Sequence, residues 1–542
     1  MMMPSSVVSV TSIGKQVVNR LDGTLSSVGH NYFPFANGVI LLVVLLLAWR
    51  VWRFTITPMF YPNDPKELPY WIPIPGHLIG FFNNSDTLLT SARHYFCNTK
   101  EPYAISVAGL TTYVVTEASH VGEIYRNADT LSYDEFVQAM MRILGNSEPS
   151  VKAMFTPLPK DKKGFPNPHG KPLGILFREM HIHQLYPGEN LTSLETRFQE
   201  FFDVHLNLDK MAETCSYAIR KTSQSIVLPL TQWCSDYFVR GGQSAYFGPK
   251  LAEIDPSLTD AFIVFDELSY QVIYQYPPFL ARKMLSARDR VLRGLKEYLE
   301  LDHDHRSEEV WFVKAMEAEM RAIGMNQEDM AIATMTIYWA INTNTRKAGF
   351  WMLAYLLETP SLMDEVREET ALAIREDGTV DFDYLHHSAK RFDASWNEML
   401  RLASFGASVR LITTDTVVGG KLLRKGNRLI IPYRELHMDS SVYGQSVHQF
   451  QPQRFLVNPK LSQRNNFRPF GGGSTMCPGR YIAKRAVLLF ISMLLRRFDL
   501  KRVGESKSLA ADPTRPAPGL MSARFGQELI VELMPRIANV PS

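Results

Sequence analysis

Cysteine is scarce: the 542 residues hold four, Cys97, Cys215, Cys234 and Cys477. No two form a Cys-x-x-Cys pair, so neither a zinc ribbon nor a dithiol redox motif is indicated. So few cysteines in so long a chain suit a reducing compartment better than the secretory lumen. Net charge is nearly absent too, since 58 basic and 55 acidic side chains leave a formal +3. With no basic run and no zinc-finger spacing, nothing points to nucleic acid as a partner. No Gly-x-Gly-x-x-Gly follows a strand, so the chain has no flavin or nicotinamide fingerprint of its own. Internal repeats and low-complexity tracts are also missing. What is present is an ordinary globular balance, 45% hydrophobic and 21% charged, in a chain long enough for a large core.

Long hydrophobic runs are limited to one. No Asp, Glu, Lys or Arg occurs from Gly23 to Trp49, and Tyr32–Trp52 approaches the ~20 residues that cross a bilayer. Arg50 and Arg53 follow, with Trp49 and Trp52 at the expected interface, which favours the carboxyl side facing the cytoplasm. Lys15 and Arg20 on the other flank leave charge alone undecided. A signal peptide fits poorly, because Leu47–Arg50 offers no small-residue cleavage site. A buried soluble helix fits poorly as well, because the run is apolar on every face. Next, Tyr61–Gly76 carries Pro62, Pro65, Pro69, Pro73 and Pro75, which forbid regular helix and stiffen the backbone. The expected organisation is an amino-terminal segment (1–31), a membrane anchor (32–52), a proline-rich hinge (53–76) and one large domain (77–542).

That domain reads as mainly α with small β-sheets. Ser286–Leu301, Gln327–Leu357 and Arg480–Phe498 carry apolar residues at helical spacing. Leu411–Val418 and Arg428–Pro432 read as strands, with Gly419-Gly420 and Gly426-Asn427 as turns between them.

One cysteine has unusual neighbours. Phe467-Arg-Pro-Phe-Gly-Gly-Gly-Ser-Thr-Met-Cys-Pro-Gly-Arg480 is a glycine-rich loop ending where a long helix is expected. Pro478 suits a first helical turn. A thiol there would meet the positive helix end and free backbone donors, which favours its thiolate. Glycines let a flat macrocycle approach the backbone. From these residues alone, a phosphate cradle, a packed thiol and a nucleophile all remain open, although the lysine of a phosphate loop is missing.

The run resembles the haem-binding signature of the cytochrome P-450 superfamily, microsomal type, Phe-x-x-Gly-x-Arg-x-Cys-x-Gly. Phe470, Gly473, Cys477 and Gly479 match it, and Thr475 stands where Arg or His is usual. The resemblance implies haem b, Cys477 as axial ligand to the iron, and loss of one propionate contact at Thr475. Other motifs follow in the family's order. Glu398-Met-Leu-Arg401 fits Glu-x-x-Arg, whose i,i+3 spacing puts both side chains on one helix face. Phe450-Gln-Pro-Gln-Arg-Phe455 is similar to the Pro-Glu-Arg-Phe element, so Arg454 is expected to join Glu398 and Arg401 in a structural network. Arg410 is expected to meet a haem propionate. The family's Trp-x-x-x-Arg on an early helix is missing, and Arg178, His181 and His183 are the candidate substitutes.

On the long helix above the iron the family carries Ala/Gly-Gly-x-Asp/Glu-Thr-Thr. The counterpart here is Tyr338-Trp-Ala-Ile-Asn-Thr-Asn-Thr345, so Thr343 takes the acid's place and Asn344 that of the alcohol that relays protons. Asn there, with Trp-Ala before it and Cys-Pro-Gly-Arg in the loop, resembles the branch of cholesterol 7α-hydroxylase, sterol 12α-hydroxylase and prostacyclin synthase. Fungal secondary-metabolite enzymes are similar too.

The implied function is a monooxygenase that inserts one oxygen atom from O2 into a bulky sterol-like or terpenoid substrate. Thr343 and Asn344 would be the catalytic residues, and electrons would come from NADPH through NADPH-cytochrome P-450 reductase. Arg464, Arg468 and Lys484 are candidates for reductase docking. The alternative is a haem-thiolate isomerase or dehydratase that consumes a peroxide without external electrons. The expected location is the endoplasmic reticulum membrane, single-pass, with the domain facing the cytoplasm. Substrate contacts are expected from Phe136–Leu144, Phe262–Phe279 and Ile332–Thr345, whose composition reads as an apolar pocket.

Overall fold

The computed structural model describes residues 37–375, 378–504, 509–524 and 526–536. The expected amino-terminal segment 1–31, and the first residues of the expected anchor, lie outside them. Helix α1 (Asn37–Phe60) is long and apolar enough to cross a membrane, and none of its apolar window is buried by protein. It runs eight residues past the expected end of the anchor at Trp52, into the stretch expected as hinge. The reason is local. Trp52–Ile56 is a π-helical turn in which Thr57 donates its N–H to the Trp52 carbonyl, and Pro58 follows in the next turn. The widened turn takes up the bond that proline cannot donate.

The cations at this end are engaged by the proline-rich segment. Arg50 donates to the Tyr70 carbonyl at 2.6 Å and lies 4.2 Å from the centroid of the Trp71 ring, and Arg53 pairs with Glu67 at 2.8 Å.

Beyond residue 76 the chain is helical around one main core, with small sheets at its edge. The helices that position the site are α2 (Ala118–Arg126), α3 (Asp134–Leu144), α4 (Leu173–Leu185), α5 (Leu230–Phe247) and α6 (Leu258–Leu268). They are followed by α7 (Arg282–Glu300), α8 (Trp311–Ala322), α9 (Gln327–Glu358), α10 (Lys390–Ala403) and α11 (Arg480–Arg497). The three helical segments expected from apolar spacing correspond to α7, α9 and α11.

Helix α9 crosses the core and packs on α5, α7, α10 and α11. Asn326 caps it, accepting the Asp329 N–H at 2.9 Å, and Glu328 and Asp329 sit in the first turn, where the helix dipole favours them. Two glycines let α5 and α9 touch. A Cβ at Gly349 would lie 2.1 Å from the Phe238 ring, and one at Gly242 would lie 2.3 Å from Asn342 Oδ1.

The larger sheet has six strands: β1 (Lys66–Glu67), β2 (Tyr103–Val107), β3 (Leu110–Val114), β4 (Leu131–Ser132), β5 (Ala407–Ile412) and β6 (Arg428–Pro432). Their spatial order is β1-β2-β3-β6-β5-β4. β6 pairs antiparallel with β5, setting Leu429 opposite Arg410, and parallel with β3. The run Leu411–Val418 is not one strand. It breaks after Ile412, and Thr416–Val418 forms its own hairpin with Lys421–Leu423. Asp415 causes the break, because its carboxylate accepts the Lys425 N–H at 2.7 Å and faces Arg424. A four-stranded sheet joins residues 220–221 and 226–229 to two carboxyl-terminal strands, Phe498–Val503 and Ile530–Pro535.

Candidate active site

The cysteine loop is bent by Gly471 (φ 76°) and Gly473 (φ 60°), both in the left-handed region. At Gly473 a Cβ would meet Tyr125 of α2 at 2.9 Å. The Cys477 N–H donates to the Phe470 carbonyl at 2.9 Å, folding the loop back on itself. Gly479 caps α11, so Cys477 and Pro478 stand just before the helix rather than in its first turn. At Gly479 a Cβ would lie 3.7 Å from Cys477 Sγ, an ordinary contact.

The Cys477 side chain is accessible yet ringed by protein. Burial pushes its thiol up, and the bonds from the Gly479 and Arg480 backbone, with the Arg480 charge, only partly counter it. A coordinating metal would deprotonate a thiol held this way outright.

Beside the loop lies a cavity of about 170 Å³ lined by Tyr125, Tyr133, Arg178, Arg410, Ser474 and Thr475, among others. Arg410 reaches it from the buried face of β5. Its Nη2 donates to Thr475 Oγ1 at 2.7 Å, while its Nη1 is buried without a hydrogen-bond partner. The guanidinium lies 5.6 and 4.8 Å from the Tyr125 and Tyr133 ring centroids. Burial lowers its pKa, opposed by Tyr125, Tyr133, Tyr433 and Asp134, the last also on the cavity wall.

Among the described residues no carboxylate forms an ion pair with Arg410 or Arg178. The buried Arg410 guanidinium without an anion is costly. With the partly exposed Arg178 it forms a donor set for an anionic group on a cavity that Asp129 and Asp134 also line. Haem propionates fit it. Thr475 aims Arg410 rather than meeting a propionate itself, and Arg178 of α4 lines the same cavity. His181 and His183 do not line it. They turn to α8, with ring centroids 4.1 Å from Phe312 and 4.5 Å from Trp311 respectively.

Glu398, Arg401 and Arg454 come together. Arg401 and Glu398 are fully buried and joined by two bonds of 2.9 and 2.8 Å, and Arg454 Nε reaches the same carboxylate at 3.3 Å. Arg401 also donates to the Val447 and His437 carbonyls, at 2.7 and 3.1 Å. Gln451 donates its N–H to Glu398 at 3.0 Å. The network ties α10 to the segment leading into the cysteine loop. Of the docking candidates, Arg464 is exposed, Lys484 pairs with Asp393 at 2.7 Å, and Arg468 is partly buried against Asn465.

Helix α9 is buried over most of its middle, yet Thr336 and Ala340 are exposed and Asn344 is partly open. These i, i+4, i+8 positions form one stripe. Asn344 Oδ1 accepts the Leu520 N–H at 2.8 Å, which fixes the amide against Gly519 and leaves its NH2 as a donor with no partner among the described residues. Thr343 faces elsewhere. It is buried, and its hydroxyl donates to Asp266 Oδ1 of α6 at 2.5 Å.

Asp266 anchors a cluster that the sequence reading passed over when it called this region an apolar pocket. The carboxylate also accepts from Trp339 Nε1 at 2.7 Å and from Arg346 Nε at 3.0 Å, with a closer bond from Arg346 Nη2. Arg346 reaches Glu267 at 2.6 Å and Ser235 at 2.8 Å. Burial alone would raise the Asp266 carboxyl, but Lys347 and Arg346, with the bond from Thr343, hold it well below the usual carboxylate range. The sequence signal was there in two forms: adjacent cations at 346–347 inside a long buried helix, and adjacent acids at 266–267 closing an apolar one.

A cysteine loop shaped for a macrocycle, with two unpaired arginines for its acid groups and a long helix opening through an amide, defines a haem-thiolate protein. The sequence model of the cytochrome P450 family matches residues 69–523, and the chain belongs to that family. Among curated relatives, the cytochrome P450 monooxygenase nodJ of Hypoxylon pulicicidum is 25% identical over 89% of this chain and 93% of the relative. A 25-hydroxycholesterol 7-alpha-hydroxylase of Rattus norvegicus is 24% identical over 58% and 83%. The 7-alpha-hydroxycholest-4-en-3-one 12-alpha-hydroxylase of Oryctolagus cuniculus is 31% identical over 35% and 40%.

Proposed function

We propose that this chain, a cytochrome P450 monooxygenase of lipophilic substrates, oxygenates a sterol-like or terpenoid skeleton in secondary metabolite biosynthesis. The unpaired Arg410 Nη1, on a cavity shared with Arg178 beside the Cys477 loop, carries the cofactor assignment. Cys477 would ligate the haem iron, and Arg410 and Arg178 would hold the propionates. Phe470, Gly473 and Gly479 shape the loop against the macrocycle. When bound, the haem supplies oxygen activation that no side chain can, helped by electron donation from the thiolate.

The chain's own residues do the rest. The Asn344 NH2 donates a hydrogen bond into the open side and holds a water there for proton delivery. Thr343 donates a hydrogen bond to Asp266, and this acid–alcohol pair, buried beside the stripe, supports that proton delivery. The fungal monooxygenases and sterol hydroxylases among the relatives support the substrate class. Electrons come from NADPH through a separate reductase that docks on the face carrying Arg464, Arg468 and Lys484. α1 anchors the protein in the endoplasmic reticulum, with the domain in the cytoplasm.

The test uses membranes holding this protein and a reductase, fed a sterol and terpenoid extract under isotopically heavy O2, with C477A as control. A product carrying one heavy oxygen, dependent on NADPH and absent from the control, is expected. A product of unchanged mass formed without NADPH would instead identify an isomerase.

A further inference from the structure

We propose that the Lys347 ammonium recognises a neutral oxygen acceptor, a hydroxyl or carbonyl, on the lipophilic substrate. The inference rests on the monooxygenase reading and narrows its substrate class. Lys347 lies four residues beyond Thr343 and seven beyond Ala340 on α9. At 100° per residue this places it between the radial directions of Thr336 and Ala340, on the stripe that opens the helix. Its residue is only 7% exposed. Among the described residues no atom makes a hydrogen bond with its Nζ, and the one carboxylate within ion-pair distance, Asp266, is 3.8 Å away.

Asp266 has nothing left to offer. Its Oδ1 is taken by Trp339 and Thr343, and its Oδ2 by two nitrogens of Arg346. Glu267 is held by Arg346 and, at 3.5 Å, by Ser522. An ammonium has three donors and no acceptor, so whatever completes Lys347 must be an acceptor. The Lys347 Nζ is not among the buried atoms left without a partner, so this nearly buried side chain brings its ammonium to open space at the edge of the stripe. An ammonium placed there with its donors unused is therefore a recognition point.

Charge decides what kind of acceptor it is. Asp266 and Glu267 balance Arg346 and Lys347, so a carboxylate arriving at Lys347 would leave a net negative charge in a buried site. A hydroxyl or carbonyl oxygen preserves the balance. The substrate therefore arrives already carrying an oxygen, which an earlier oxidation or hydration of the skeleton supplies.

Equilibrium dialysis of the full-length haem-loaded protein against labelled androstane, its 3-ketone, its 17-ketone and its 17-carboxylate tests this directly. The ketones place an acceptor at either end of one rigid skeleton. In the wild type, one ketone is expected to bind about tenfold or more tighter than androstane, as a hydrogen bond to a charged group provides. In K347M that preference falls to parity while androstane binding stays within about twofold, and K347R keeps part of it. The comparison among probes needs only the wild type, so it survives any failure of a variant to fold.

The proposal is overturned if no ketone outbinds androstane in the wild type, including the case in which nothing binds. A preference that persists in K347M, or a carboxylate that binds most tightly, overturns it as well. The reduced, CO-bound spectrum of the same preparations reports thiolate-ligated haem independently. Its absence would refute the parent reading while dialysis still reports on Lys347.

Discussion

Removing the Asp266 carboxylate is the sharpest test of how the α6–α9 contact is held. The D266A variant strips four hydrogen bonds from Trp339, Thr343 and Arg346 and leaves two buried cations facing each other. Arg346 keeps Glu267 and Ser235, but Lys347 keeps nothing within ion-pair distance. Breaking a buried pair by removing one partner costs about 3–5 kcal/mol, mostly through the charge left uncompensated. Removing the second charge should therefore restore much of the loss, so D266A/R346M is expected to recover at least half of it. Urea unfolding followed by tryptophan fluorescence measures both, with Trp339 as a reporter donating to the deleted carboxylate. A D266A penalty under about 1 kcal/mol, the value of an exposed pair, would refute the reasoning. So would a double variant no more stable than the single one.

The same carboxylate sets a pH signature. Its folded pKa is depressed, so its stabilisation is fully present above the unfolded value of about 3.9 and disappears as pH falls through the folded one. D266N lacks that contribution at every pH. The gap between wild type and D266N should be widest near neutrality and close in acid. A gap that stays constant from pH 7 down to the acid transition would show that the carboxylate is not held ionised.

Three further outcomes follow from the site. R410L removes an unpaired buried cation, so the apoprotein should be no less stable while haem is lost to apomyoglobin roughly 10- to 100-fold faster, the worth of charged hydrogen bonds. E398A leaves the fully buried Arg401 guanidinium without its carboxylate and should cost about 3–5 kcal/mol, read as a lowered urea midpoint and poor haem incorporation. G349A drives a methyl to 2.1 Å from the Phe238 ring and should cost about 1–3 kcal/mol by the same titration, whereas G324A, with nothing within 4 Å but a φ of 74°, should cost only its backbone strain.

What the sequence made legible depended on whether meaning was carried locally. Cys477 and its glycines were readable because the loop's chemistry lies within fourteen consecutive residues, and Glu398 and Arg401 because an i,i+3 spacing on one helix fixes their geometry. Leu411–Val418 was misread because its apolar spacing continues through Asp415, whose carboxylate caps a turn instead of lying in a strand. The charged cluster went unread for a different reason. Asp266 and Arg346 are 80 residues apart, and each alone is an ordinary ionisable residue beside apolar neighbours. Only the close approach of α6 and α9 turns them into a pair. Thr343 shows the consequence. By position it takes the place of the family's acid, but its hydroxyl is turned to an acid on the neighbouring helix. An acid–alcohol contact is thus present beside the open stripe, with its two halves on different helices. A substitution at Asp266 should therefore perturb proton delivery as well as packing. In D266N the amide can no longer draw the Thr343 proton as strongly, so the solvent isotope effect on substrate oxidation should change even where haem content does not. An unchanged isotope effect would confine Asp266 to a structural role.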